Sequence, residues 1–68
     1  MLQIGDRVAI QGNAASYTLS DPARTYTGIV IGYDDGNLAI RLDEPVRYCD
    51  TETWYHEVSV QSTSCTKL

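Results

Sequence analysis

The chain contains few basic side chains. Its 68 residues include five Lys and Arg against nine Asp and Glu, so the formal net charge is −4. Proteins that bind nucleic acids normally present clustered basic groups, which displace counterions from the phosphates. The charge balance therefore disfavours DNA or RNA as a partner and favours a protein whose surface is basic or neutral.

The sequence also lacks an apolar run of about 18 residues, the length needed to cross a membrane. Its first residues, MLQIGDRV, have neither the basic start nor the apolar core of a signal peptide. These features predict a cytoplasmic protein with no membrane partner. The two cysteines, Cys49 and Cys65, are then expected as free thiols, although a disulfide between them stays open. Their spacing lacks the close ligand pairs of a zinc site, and we expect neither a metal nor a cofactor.

Phenylalanine is absent, and the aromatic residues are five tyrosines and one tryptophan. Each carries a polar group, which suits half-exposed positions and binding surfaces as well as cores. A chain of this length encloses one small core, so a single domain is expected.

The strand signal begins at the N-terminus. Apolar residues at even positions between Leu2 and Ile10 alternate with other residues, which predicts a half-buried strand at 6–11. Residues 12–25 are rich in Gly, Asn, Ser, Asp and Pro and predict a long first loop, from which Tyr17 and Leu19 fold back over the core. Long loops are uncommon in compact domains and are frequently functional.

The middle of the chain predicts a hairpin. TYTGIVIGY and LAIRLDE flank a DDGN turn, which predicts strands at 26–33 and 38–44. The apolar residues of LAIRLDE alternate and are expected to point inward. Gly28 and Gly32 interrupt the first of these strands, which predicts a bend, a bulge or a close backbone approach.

The last third of the chain predicts two more strands, at 51–57 and 58–61, with room for one helical turn between them. The remaining residues, 62–68, are polar and predict a flexible C-terminal tail.

Four pieces in this order, IGDRVAI, YTGIVIGY, NLAIRLDE and TWYHEVSVQ, resemble the SH3-like small barrels. The GDRV and YTGIV pieces are typical of KOW-like bacterial or phage members of that superfamily. The resemblance covers residues 2–61. It implies an all-β fold, a five-stranded SH3-like small barrel with a long first loop, over a domain at 1–61.

The functional subtypes of that superfamily differ in their motifs. The ALYDY motif of peptide-binding SH3 domains is absent here. The VQIY motif of the type II dihydrofolate reductases is broken, because Val60 and Gln61 are followed by Ser and Thr.

The stretch RYCDTETWYHEVSVQ concentrates side chains of chemical interest. Cys49 beside Asp50 suggests a nucleophile, and His56 suggests a general base. A small filled barrel has little room for a substrate cleft and oxyanion donors, so we predict no catalytic residues. Asp34 and Asp35 are interpreted as turn residues, since most of a calcium-loop ligand series is missing.

The favoured function is a small non-enzymatic interaction module. It would bind a protein partner, or associate with itself as a homodimer, through an aromatic and acidic surface. The predicted partner-binding residues are Tyr17, Asp21, Tyr48, Asp50, Glu52 and Trp54. Whether Trp54 and Tyr55 lie in the core or at the surface is left open by the sequence.

Two alternative functions are retained. The first is a KOW-like nucleic-acid-associated barrel, which requires the four arginines, Arg7, Arg24, Arg41 and Arg47, to cluster on one face. The second is an oligomeric small-molecule enzyme of the type II dihydrofolate reductase kind, which requires a pore shared between subunits.

Overall fold

The computed structural model describes residues 2–15 and 18–68, and these form an all-β structure. The strands are β1 (Arg7–Gln11), β2 (Thr25–Asp34), β3 (Asn37–Val46), β4 (Tyr55–Gln61) and β5 (Thr66–Lys67), with 3₁₀ turns at Gly12–Ala14 and Ser62–Ser64. All pairings are antiparallel, and one sheet results with the order β4-β3-β2-β1-β5. Nowhere in the described ranges is there a helix long and apolar enough to cross a membrane.

The predicted hairpin between β2 and β3 is confirmed. Asp34 pairs with Asn37 across a two-residue turn, and the central residues Asp35 and Gly36 have φ values of 48° and 85°. Two positive φ angles give a turn whose twist matches that of the strands, and the Asp-Gly pair tolerates them. The apolar residues of β3 alternate inward as predicted, and Ile40 is fully buried.

The two glycines inside β2 have different structural roles. A Cβ at Gly28 would collide with the backbone carbonyl of Arg41 in β3. Gly32 lies at a β-bulge, because the register of β2 against β3 shifts between Val30 and Gly32. The close approach and the bulge were the predicted reasons for glycine in this strand.

The prediction of separate strands at 51–57 and 58–61 is wrong. One strand, β4, runs from Tyr55 to Gln61. The preceding residues leave the sheet because Thr51 N–H donates to the carbonyl of Tyr48 and Thr53 N–H donates to Thr51 Oγ1 at 3.1 Å. Such local bonds give the backbone an alternative to a strand ladder.

The segment 62–68 contributes to the sheet. A 3₁₀ turn at Ser62–Ser64 follows β4, whereas the predicted helical turn stood earlier in the chain. Thr66 and Lys67 then pair with Ala9 and Val8 of β1. The flexibility expected of these residues stays a prediction.

The core lies on one face of the sheet. It consists of Val8, Ile10, Ala15, Leu19, Tyr26, Val30, Leu38, Ile40, Leu42, Val46, Val58 and Val60. Leu19 comes from the long first loop and is fully buried, as predicted. Alternation predicted that Ile4 would be buried like the other even-numbered residues near the N-terminus, but its side chain is 63% exposed. The chain turns at Gly5, whose φ is 98°, before β1 begins.

Candidate functional site

The long first loop and the connection between β3 and β4 are joined by backbone hydrogen bonds. Ser20 N–H donates to the carbonyl of Arg47, and Cys49 N–H donates to the carbonyl of Thr18, each at 2.9 Å. Between them Leu19 forms an isolated β-bridge with Tyr48. The two segments therefore lie on one side of the molecule, as the predicted strand order requires.

Trp54 lies at the surface. Its side chain is 62% exposed, and the guanidinium of Arg47 sits 6.0 Å from its ring centroid. A guanidinium at this distance attracts the ring face and helps to orient it. Trp54 precedes β4, so the alternation of a strand does not turn its side chain toward the core. This placement answers the question that the sequence left open for Trp54.

Two tyrosines extend this exposed aromatic region. The rings of Tyr48 and Tyr55 have centroids 5.0 Å apart and are tilted by 48°. Tyr48 is half-buried and Tyr55 is 39% exposed. Tilted aromatic pairs at this separation are mutually favourable. Tyr48, Trp54 and Tyr55 are called the aromatic surface below.

The predicted acidic residues lie in the loops around this surface. Asp50 and Glu52 are exposed and belong to the same connection as Trp54. Asp21 is exposed and follows Ser20, whose backbone is bonded to this connection. Tyr17, the remaining predicted partner-binding residue, lies outside the described residues. A role in partner binding stays a prediction for all of these residues.

Most basic side chains form ion pairs. The nitrogen–oxygen distances are 2.7 Å for Arg7–Asp43, 3.1 Å for Arg24–Glu44, 3.3 Å for Arg41–Glu57 and 3.7 Å for Lys67–Asp6. Among the described residues, Arg47 is the one basic side chain without a carboxylate at ion-pair distance. Within the same ranges, the acids without such a basic partner are Asp21, Asp34, Asp35, Asp50 and Glu52. These five negative charges and Arg47 together equal the net charge of −4.

The strongest of these ion pairs lies on the outer face of the sheet. Both guanidinium nitrogens of Arg7 donate to Asp43 at 2.7 Å, and Thr27 Oγ1 donates to the same carboxylate at 2.6 Å. The bonds from Arg7 and then from Thr27 hold the pKa of Asp43 well below its usual range. The same pair raises the pKa of Arg7. Two arginines of this face, Arg7 and Arg41, are thus occupied by carboxylates.

A groove of about 430 Å³ lies beside the aromatic surface, and the sequence did not predict it. It is lined by Asp34, Asp35, Asn37, Ala39, Tyr48, Glu57, Val58 and Ser59. The register between β3 and β4 brings one wall together, because Ala39 of β3 pairs with Ser59 of β4. The DDGN turn pattern identifies three other lining residues, Asp34, Asp35 and Asn37, as neighbours at the tip of the β2–β3 hairpin. The position of Tyr48 depends on the fold of the β3–β4 connection, for which no short-range signal exists.

The two thiols and the histidine show no arrangement that indicates catalysis or metal binding within the described residues. Cys49 is exposed and Cys65 is half-buried, and neither forms a disulfide. Burial raises the pKa of the Cys65 thiol, which disfavours the reactive thiolate. His56 is exposed on β4. Across the part of the chain that the structure describes, no group of three His, Cys, Asp or Glu side chains is placed to hold a metal ion.

Comparison with protein-family models, curated proteins and solved structures finds no match for this chain. The observations that bear on its function are therefore the exposed aromatic surface and the distribution of charge around it.

Proposed function

We propose that this protein is a small non-enzymatic interaction module that binds a protein partner, or a second copy of itself, through the aromatic surface. The observation that carries the proposal is the 62% exposure of Trp54, whose ring centroid lies 6.0 Å from the guanidinium of Arg47. Tryptophan, tyrosine and arginine are the residue types that dominate binding energy at protein interfaces. Arg47 and Trp54 of the β3–β4 connection and Tyr55, the first residue of β4, supply all three.

The charge around the aromatic surface supports a partner that is basic. Asp50 and Glu52 shortly precede Trp54 in sequence, and neither has a basic partner at ion-pair distance among the described residues. Unpaired carboxylates at the rim of an interface steer an oppositely charged partner and increase the association rate. Asp21 and Tyr17 belong to the same proposal, as does a cytoplasmic location.

We also propose that the sheet curls into an SH3-like small barrel. The strand order, the long first loop and the 3₁₀ turn before β5 support this architecture. A further support is the isolated bridge between Ala15 and Val60. Ala15 follows β1 closely, whereas Val60 lies in β4 at the far edge of the sheet, so the bridge brings distant parts of the sheet order together.

The two alternative functions receive less support. A nucleic-acid-binding face would need free arginines, whereas Arg7, Arg24 and Arg41 each have a carboxylate within 3.3 Å. The reductase-like alternative requires an oligomer with a shared pore, so a monomer in light scattering would exclude it.

The proposal is tested by affinity capture from the source organism with three forms of the tagged protein. Wild type and Tyr33→Ala should retain the same stoichiometric protein, whereas Trp54→Ala should retain less by about tenfold or more. Tyr33 is a matched control because it is 61% exposed, close to the 62% of Trp54, and lies on β2 outside the aromatic surface. Mass spectrometry identifies and quantifies the captured protein.

Two results would contradict the proposal. One is equal capture by the Trp54→Ala variant and wild type. The other is capture that disappears after nuclease treatment, which would favour the nucleic-acid alternative.

A further inference from the structure

The groove beside the aromatic surface combines a ring with three carboxylates. Tyr48 lines it together with Asp34, Asp35 and Glu57. Asp34 and Asp35 have no basic side chain at ion-pair distance within the described ranges. Glu57 has the guanidinium of Arg41 at 3.3 Å, and its side chain is 55% exposed. No basic side chain is among the lining residues, so the groove is complementary to a positive group and not to an anion.

We propose that this groove receives a basic side chain, arginine or lysine, from the protein partner. The inference rests on the function proposed above and names the chemistry by which the partner is recognised. A cation beside an aromatic ring gains a cation–π attraction, and carboxylates supply charge-assisted hydrogen bonds. Asn37 and Ser59 add polar atoms to the groove lining.

The groove is continuous with the aromatic surface through Tyr48. That ring lines the groove and also lies 5.0 Å from the ring of Tyr55. A partner segment that covers Trp54 and Tyr55 can therefore extend a basic side chain past Tyr48 into the groove. One continuous contact would unite the exposed aromatics with the carboxylates at the tip of the β2–β3 hairpin.

The sheet fixes the backbone of the groove residues before a partner arrives. Asp34 ends β2, and Asp35 occupies the first central position of the two-residue hairpin turn. Glu57 lies in β4 opposite Arg41 of β3. A backbone that is already ordered loses little conformational entropy on binding, which favours recognition.

The test is an NMR titration of the full ¹⁵N-labelled chain with N-acetyl-arginine-methylamide as the probe. We expect saturable shifts of the backbone amides at 34–37 and 57–59, weakened by added salt because exposed charges are screened. The lysine analogue distinguishes the two basic side chains. The citrulline analogue keeps the shape of arginine and removes the charge, and it should produce no saturable shift.

Two double variants separate the groove from general electrostatics. Asp34→Asn with Asp35→Asn, and Asp6→Asn with Glu44→Gln, each remove two negative charges, and Asp6 and Glu44 belong neither to the groove nor to the residues proposed to bind the partner. Asn is tolerated at the positive φ of Asp35, so the turn is retained. We expect the apparent Kd to increase about fivefold in the groove variant. The second variant, the matched control, should change it by less than about twofold.

Equal weakening by both double variants, or equal shifts with citrulline, would overturn the inference. Its failure is distinguishable from failure of the proposed function. If the probe does not bind while Trp54→Ala still loses the captured protein, only the inference about the groove is wrong. If Trp54→Ala captures the protein normally, the proposed function is wrong, and the assignment of the groove to that partner falls with it.

Discussion

The outer face of the sheet and the β3–β4 connection differ in how their charged groups are used. On the sheet, Arg7 is bound by Asp43 and Arg41 by Glu57, so opposite charges compensate each other. In the connection, the described residues place no basic group at ion-pair distance from Asp50 or Glu52, and Arg47 contacts a tryptophan ring. The charges of the sheet stabilise the chain, whereas those of the connection are available to a partner.

The two regions are also held in place differently. The register between neighbouring strands sets which side chains meet on the sheet, and Arg41 stands directly opposite Glu57 for this reason. The connection is held by backbone bonds to the first loop and by Leu19, which is fully buried. A single buried side chain therefore has a large influence on the aromatic surface.

The largest effect is expected for Leu19→Ala. Removing a fully buried leucine leaves a cavity and should lower the free energy of unfolding by about 3 kcal/mol. Urea denaturation measures the change, and Leu19→Met, which nearly conserves volume, should lose less than about 1.5 kcal/mol. A small loss for Leu19→Ala would mean that the first loop does not anchor the connection.

The next effect concerns the close approach of β2 and β3. Gly28→Ala should lower the free energy of unfolding by about 2 kcal/mol, because the new methyl group meets the backbone carbonyl of Arg41. Gly32→Ala is the control in the same strand, since its Cβ would have open space, and urea denaturation compares the two. Equal losses would show that the effect is a general cost of alanine in β2.

A smaller effect is expected for Asp43→Asn. The variant removes the carboxylate held by Arg7 and Thr27 and should lower the Tm by a few degrees in calorimetry, whereas Asp34→Asn should leave it unchanged. The pKa of Asp43 is lower in the folded than in the unfolded chain. Its stabilising contribution is therefore present above the unfolded pKa, about 4, and decreases as the pH falls below that value.

The Asp43→Asn variant should lack the part of the stability that the Asp43 carboxylate contributes and that is lost as the pH falls. If its unfolding follows the same pH dependence as that of wild type below pH 4, other carboxylates are responsible. Raised salt should reduce the difference between the two proteins, because the ion pair is exposed.

The smallest effect on stability is expected for Trp54→Ala. An exposed side chain contributes little to folding, so the free energy of unfolding should change by less than about 0.5 kcal/mol. Urea denaturation of the variant, followed by circular dichroism, tests this expectation. A loss of more than about 2 kcal/mol would mean that Trp54 packs against the core in solution, and its assignment to an interaction surface would be wrong.

The sequence predicted the elements whose signals are local. The DDGN turn identified the β2–β3 hairpin. The glycines of β2 predicted a bend, a bulge or a close approach, and the structure assigns the close approach to Gly28 and the bulge to Gly32. The strands at 51–57 and 58–61 were predicted incorrectly. The aromatic and threonine content of 51–57 favoured a strand there, whereas the backbone N–H groups of Thr51 and Thr53 donate to the carbonyl of Tyr48 and to Thr51 Oγ1 instead.

The candidate site was predictable in part. Tyr17, Tyr48 and Trp54 were proposed as exposed contacts from residue type. Trp54 is exposed, Tyr48 is half-buried against the core, and Tyr17 lies outside the described residues. The role of Asp34 and Asp35 as groove residues was not predicted. They line the groove together with Tyr48, which lies in a different part of the chain. Positional patterns carry no information about such a contact.

By itself, the sequence determined an all-β chain with a tight central hairpin and an excess of negative charge. Alternation and turn chemistry act over a few residues, so both can be recognised in the sequence before the fold is known. Only the tertiary structure decided which acids are compensated and where the aromatic side chains point. Strand register and the packing of Leu19 bring distant residues together, and the resulting distances determine whether a charge is paired or left for a partner.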